Sequence, residues 1–85
     1  MPYRVELAPA AARELRRLDR SIQQRIGDAL DALQQNPRPA GCKKLSGPAG
    51  WWRVRVGDYR IVYSIHDDRL LVLVVRVAHR KDVYR

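Results

Sequence analysis

The chain has 85 residues, 46% of them hydrophobic, and sets 17 Lys plus Arg against 9 Asp plus Glu for a formal charge of +8. One domain over residues 1–85 is expected at this length, hiding only about 60–65% of the surface its unfolded chain exposes, and the apolar content excludes a disordered tail. No apolar run approaches the ~18–20 residues of a membrane span and no signal-peptide pattern opens the chain, so a cytoplasmic protein without a membrane partner is expected. The single cysteine, Cys42, has no mate for a disulfide and no His or second Cys at ligand spacing, so neither a disulfide scaffold, a metal centre nor another cofactor is expected.

Residues 3–7 alternate apolar and charged side chains, the pattern of a half-buried strand. Pro9 suits the first turn of a helix, and Ala8, Ala12, Leu15 and Leu18 follow at helical spacing. Asp19-Arg20 breaks that helix, and Ser21 with Gln24 forms a capping-box signature for a second. Ile22, Ile26, Ala29, Leu30 and Leu33 make its apolar stripe, ending near Asn36 because Pro37 and Pro39 cannot continue it. The Gly/Pro-rich stretch 37–50 reads as a loop. Period-two patterning then predicts strands near 51–56, 59–66 and 69–78, with Gly57-Asp58 as a two-residue hairpin turn and a second reversal at Asp67-Asp68 or Arg69. The run from Leu70 to Val75 is apolar on both faces, which places its strand inside the sheet. The expected fold is α+β, in the order β-α-α-β-β-β, with a helical hairpin on one face of a four-stranded, mainly antiparallel sheet.

The charge is unevenly spread and mostly arginine. Of the basic residues 14 are Arg and 3 are Lys, and residues 43–85 carry net +6 against +2 for residues 1–42. Arginine's planar fork matches phosphate oxygens bidentately. A Gly57-Asp58 loop fixes the hairpin register: Trp52 faces Tyr63, Val54 faces Ile61 and Val56 faces Tyr59 on the core side. On the other side Arg53 opposes Val62 and Arg55 directly opposes Arg60. Like charges across a ladder are destabilising, so a bare arginine cluster is understandable if an anion completes it. His79, Arg80, Lys81 and Tyr84 follow the inner strand, and Arg80 is expected to approach the Arg55/Arg60 face, with Tyr84 as a ring for a base to stack on. Alternation puts Trp52 in the core and leaves Trp51 undecided.

Three segments, Lys43-Lys44-Leu45-Ser46-Gly47, Trp52 to Tyr63 (WRVRVGDYRIVY) and Val77 to Tyr84 (VAHRKDVY), closely resemble the RelE group of the RelE/ParE toxin superfamily, and the resemblance covers essentially the whole chain. It implies a type II toxin that enters the ribosomal A site of a 70S ribosome and cleaves mRNA there, using the RNA's own 2′-hydroxyl and no metal. It also implies a cognate antitoxin, expected to be acidic and inhibitory. By resemblance, Arg53 and Arg60 match positions that bind the scissile phosphate, Arg55 the general base, Arg80 the general acid and Tyr84 the terminal tyrosine that stacks or orients a nucleotide. Lys44 matches an RNA-contacting position, and Lys43 and His79 join it as RNA-binding candidates. The best-studied pattern has lysine where this chain has Arg53 and Arg55. An arginine holds its proton far above neutral pH, so either proton abstraction is weakly assisted or another group does it, His79 being the titrating side chain nearby. Two other readings stand beside this one: a ParE-like DNA gyrase poison on the same fold, and an RNA- or ribosome-binding module without turnover.

Overall fold

Both periodicities are realised in the computed structural model, which describes residues 2–48 and 50–81. The elements are β1 (Arg4–Leu7), α1 (Pro9–Arg16), α2 (Arg20–Gln35), β2 (Lys43–Lys44), β3 (Trp52–Val56), β4 (Tyr59–His66), a 3-10 turn (Asp67–Arg69) and β5 (Leu71–His79). The strands form one sheet in the order β1-β5-β4-β3-β2. β1 runs parallel to β5 and every other neighbour is antiparallel. The α+β class is as expected, but the sheet has five strands among the described residues rather than four. The extra one is β2, a two-residue strand inside the supposed loop, pairing Lys43 with Arg53 and Lys44 with Trp52. Two lysines among Gly and Pro carry no alternation of their own; the exposed edge of β3 supplies the pairing.

Pro9 opens α1 as expected. The capping box does not form. Asp19 holds the N-cap of α2 without a side-chain bond, and Ser21 lies inside the first turn. The link between the helices is so short that the open end of α1 sits beside α2, and the Gln23 side-chain amide donates to the carbonyls of Leu15 at 2.9 Å and Arg16 at 3.3 Å. The Leu15 carbonyl also accepts from the Leu18 N–H at 3.2 Å, so the side-chain amide adds a second donor at the end of α1 and ties it to α2.

Ala11 of α1 and Ile26, Leu30 and Leu33 of α2 pack on Ile61, Tyr63, Val72, Val74 and Val77, so the core lies between the helices and one sheet face. Each fully buried aliphatic side chain there contributes about 1.5–3 kcal/mol relative to exposure. The β4–β5 pairing shifts at one point: Val62 pairs with Arg76 but Tyr63 with Val74, leaving Val75 as an extra residue. Such a bulge exchanges the two faces of the strand beyond it. β1 has ended by then, and Glu14 of α1 takes over the open edge, accepting from the Val77 N–H at 2.9 Å and from Arg76 Nε at 2.8 Å.

The segment leading to β2 is tied down on both sides. The buried Tyr63 hydroxyl donates to the Pro37 carbonyl at 2.8 Å. The Arg38 guanidinium lies over the Trp52 ring, 5.4 Å from its centroid, and grips both oxygens of Asp67 at 3.3 and 3.0 Å. Tyr3 donates its hydroxyl to the same carboxylate.

Candidate functional site

The β3–β4 hairpin closes on Gly57, whose φ of +60° is the left-handed conformation a tight turn needs. Its register is the expected one pair for pair, with Trp52, Val54 and Val56 opposite Tyr63, Ile61 and Tyr59, and Arg53 and Arg55 opposite Val62 and Arg60. The first set packs against the core under the helices; the second therefore occupies the helix-free face. Lys43 pairs with Arg53 and so joins that face from β2. Ala78 pairs with Arg60 from β5, and the Arg80 N–H donates to the Asp58 carbonyl at 2.8 Å, carrying the ladder one step further. Alternation then places Arg80 on the face of Ala78 and Arg60. The bulge decides this: counting onward from buried Val72 and Val74 without the extra residue would put Arg80 among the helices.

These cations differ in environment. Arg55 and Arg80 are exposed, but Arg53 and Arg60 are only 6% and 7% exposed. The Nε of Arg53 is buried without a hydrogen-bond partner. A buried polar group lacking compensation is costly, so an anion arriving here would meet a cation already largely enclosed by protein. The ion pairs of the described residues join Arg4 to Glu6, Arg38 to Asp67 and Arg76 to Glu14, and involve neither Lys43, Arg53 nor Arg55. Two clefts meet at Arg53. One, of about 360 Å³, is lined by Ala40, Gly41, Lys43, Arg53, Val54 and Arg55; the other, of about 410 Å³, by Lys43, Lys44, Leu45, Ser46 and Arg53. Among the described residues no three His, Cys, Asp or Glu side chains gather as a metal site would need.

Other expected site residues lie elsewhere. Lys44 pairs with Trp52 and borders the second cleft, but by register it takes the opposite side of β2 from Lys43. His79 pairs with Tyr59 and meets its ring edge-on, centroids 5.5 Å apart, on the helix side of the sheet. There it lines a separate cavity of about 310 Å³ with Glu14, Arg17, Leu18 and Tyr59. The same bulge that brings Arg80 to the arginine face takes His79 away from it. Tyr84 lies outside the described residues. The sequence reading missed Arg38, which nothing in the chain connects to Asp67, 29 residues away. That contact holds the Asp67 carboxyl below its usual range, chiefly through the Arg38 hydrogen bond and then that of Tyr3; burial pushes the Tyr63 phenol up.

The model of a family described as the ParE toxin of a type II toxin-antitoxin system matches residues 5–84. Among curated relatives, Toxin RelG of Mycobacterium tuberculosis is 35% identical over 86 aligned positions, spanning all of this chain and 99% of that protein. The mRNA interferase toxin RelE of Escherichia coli K12 is 25% identical, over 95% of this chain and 86% of its own length. Among solved structures, the archaeal RelE-RelB complex from Pyrococcus horikoshii contains a chain that superposes with a TM-score of 0.84 at 26% identity, covering 98% of this chain and 100% of that one. A match running through both helices, the whole sheet and the arginine hairpin makes this chain a member of the RelE/ParE toxin family of type II toxin-antitoxin systems.

Proposed function

We propose that the chain is an mRNA interferase, an endoribonuclease that cleaves mRNA in the ribosomal A site without a metal and is held inactive by a cognate acidic antitoxin. The observation that carries this reading is the helix-free face of the β3–β4 hairpin, where Lys43, Arg53, Arg55 and Arg60 sit together with two of the arginines buried. The name borne by the Escherichia coli relative supports it, and the antitoxin complexes among its structural neighbours support the partner.

In the proposed reaction the 2′-oxygen attacks the adjacent phosphorus, a P–O bond forms to it, and the bond to the 5′-oxygen of the next nucleotide breaks. The products are a 2′,3′-cyclic phosphate and a 5′-hydroxyl end. Arg53 and Arg60 neutralise the phosphoryl oxygens, which gain charge in the pentacoordinate transition state. Arg80, whose backbone is tied to the hairpin turn at Asp58, serves in this reading as the donor to the leaving 5′-oxygen. Arg55 occupies the general-base position, but an arginine keeps its proton at neutral pH, so it steadies the developing 2′-alkoxide while the proton passes to solvent. His79, on the other face, has no part in this step. Tyr84 retains its expected stacking role.

Replacing Arg60 or Arg80 with Ala should lower cleavage on mRNA-programmed ribosomes by about 10²–10³-fold and relieve growth arrest, with antitoxin binding retained. Full toxicity in both variants would remove the site assignment. A parallel incubation with gyrase and supercoiled DNA discriminates the gyrase reading: trapped DNA breaks with intact mRNA would replace the proposal.

A further inference from the structure

The chain carries two adjacent tryptophans, and a strand must send them to opposite faces. Trp52 faces the helices, paired with Tyr63 and covered by the Arg38 guanidinium. Trp51 is 40% exposed and is the large hydrophobic side chain left to solvent among the described residues. Its backbone is nonetheless fixed. The Leu45 N–H donates to the Trp51 carbonyl at 2.8 Å, one step beyond the Lys43–Arg53 and Lys44–Trp52 pairs of the β2–β3 ladder. Alternation places Trp51 on the face of Arg53, two residues away along an extended chain, or about 6.5–7 Å between Cα atoms. Continuing the hairpin register sets Trp51 opposite Ser64, whose hydroxyl lies 2.9 Å from His66 Nε2 on that same face of β4.

We propose that Trp51 is a nucleobase-stacking platform, a binding site for the base next to the phosphate held by Arg53. The inference rests on the RNA-cleaving reading above and adds a contact to it. An exposed indole on the same face as a nearly enclosed guanidinium, two residues away along the chain, matches the two chemistries of a single nucleotide, a flat π-face and an anion. Base–aromatic stacking tolerates any base, while the Ser64–His66 pair beside it offers donors and acceptors to a base edge. The surrounding charge favours RNA over an apolar protein partner: both clefts that meet at Arg53 are bordered by Lys43, and one of them by Arg55 as well.

The test is single-turnover cleavage by the full chain on ribosomes programmed with mRNA in which an abasic nucleotide is walked through the A-site codon and its flanks. Trp51→Ala should slow cleavage about 5- to 140-fold, the range of one lost stacking contact, and Trp51→Phe should restore most of it. At one position the abasic nucleotide should slow the wild type by that same factor and leave Trp51→Ala unaffected; elsewhere the two losses should multiply. Cleavage by Trp51→Ala at the wild-type rate, or losses that multiply at every position, overturns the platform while leaving the nuclease reading intact. Wild-type cleavage rates with weakened antitoxin capture would assign the ring to a protein interface and also overturn it. Failure of the wild type to cleave ordinary mRNA removes the nuclease reading and the platform together.

Discussion

Arg53 shows how a single residue joins stability and function in opposition. Its guanidinium is nearly enclosed, with Nε lacking a partner, and a buried charge of this kind is frequently replaceable by an apolar group of similar volume without loss of stability. Arg53→Met should therefore leave the unfolding free energy of the free protein, from urea denaturation, unchanged or raise it by up to about 1–4 kcal/mol, while lowering cleavage by ~10² or more. A clearly lower midpoint would mean that the guanidinium is held by the fold rather than kept for an anion. Beside it, Arg55 and Arg60 face each other across the ladder, two like charges where an acidic residue at one position would be more stabilising.

At the level of elements, the two-residue β2 depends on anchors outside itself. Tyr63 holds the segment before it through Pro37, and the Arg38–Asp67–Tyr3 cluster ties that segment to β1 and to the turn after β4. The Asp67 carboxyl is held below its usual range in the folded chain. Its contribution to stability is thus present above the unfolded carboxylate pKa of about 3.9 and is lost as pH falls through the lower folded value. Asp67→Asn should flatten the acid limb of the stability curve below about pH 4, measured by denaturation across pH, and should increase amide exchange at Lys43 and Lys44 at neutral pH. A wild-type acid limb in Asp67→Asn would show the cluster to be ornamental. The Val75 bulge is the other decisive element, because it sorts Arg80 and His79 to opposite faces.

For the whole molecule, the net charge of +8 separates into a site and a background. Lys43, Arg53, Arg55, Arg60 and Arg80 share one face, while Arg13, Arg16, Arg17 and Arg20 are exposed along the helices on the far side of the sheet. Each phosphate neutralised on a single strand contributes about −0.7 to the slope of log affinity against log salt. Four or five contacts therefore predict roughly −3 for binding of single-stranded RNA. Arg13→Gln with Arg16→Gln should slow association at low salt through the weakened long-range field yet change that slope by less than about 1. A slope collapsing toward zero in this variant would move the RNA to the helical face.

Much of this was legible without coordinates. The helical stripe of Ile22 to Leu33 and the β3–β4 register are local properties, set by side-chain periodicity and by a glycine that can close a two-residue turn, so the opposition of Arg53, Arg55 and Arg60 to their partners followed from residue numbers alone. What only the tertiary structure decided has non-local causes. β2 exists because the edge of β3 was available to pair with it. Gln23 rather than Ser21 serves the helix junction because two helix ends meet there. Arg38 finds Asp67 across the fold. The faces of Arg80 and His79 were set by one extra residue in β5, a change of register that no alternation pattern announces, because the apolar run from Leu70 to Val75 reads the same on both sides. The sequence by itself determined which face would carry the arginines; the packing of five strands determined which of them are buried and which tryptophan is left beside them.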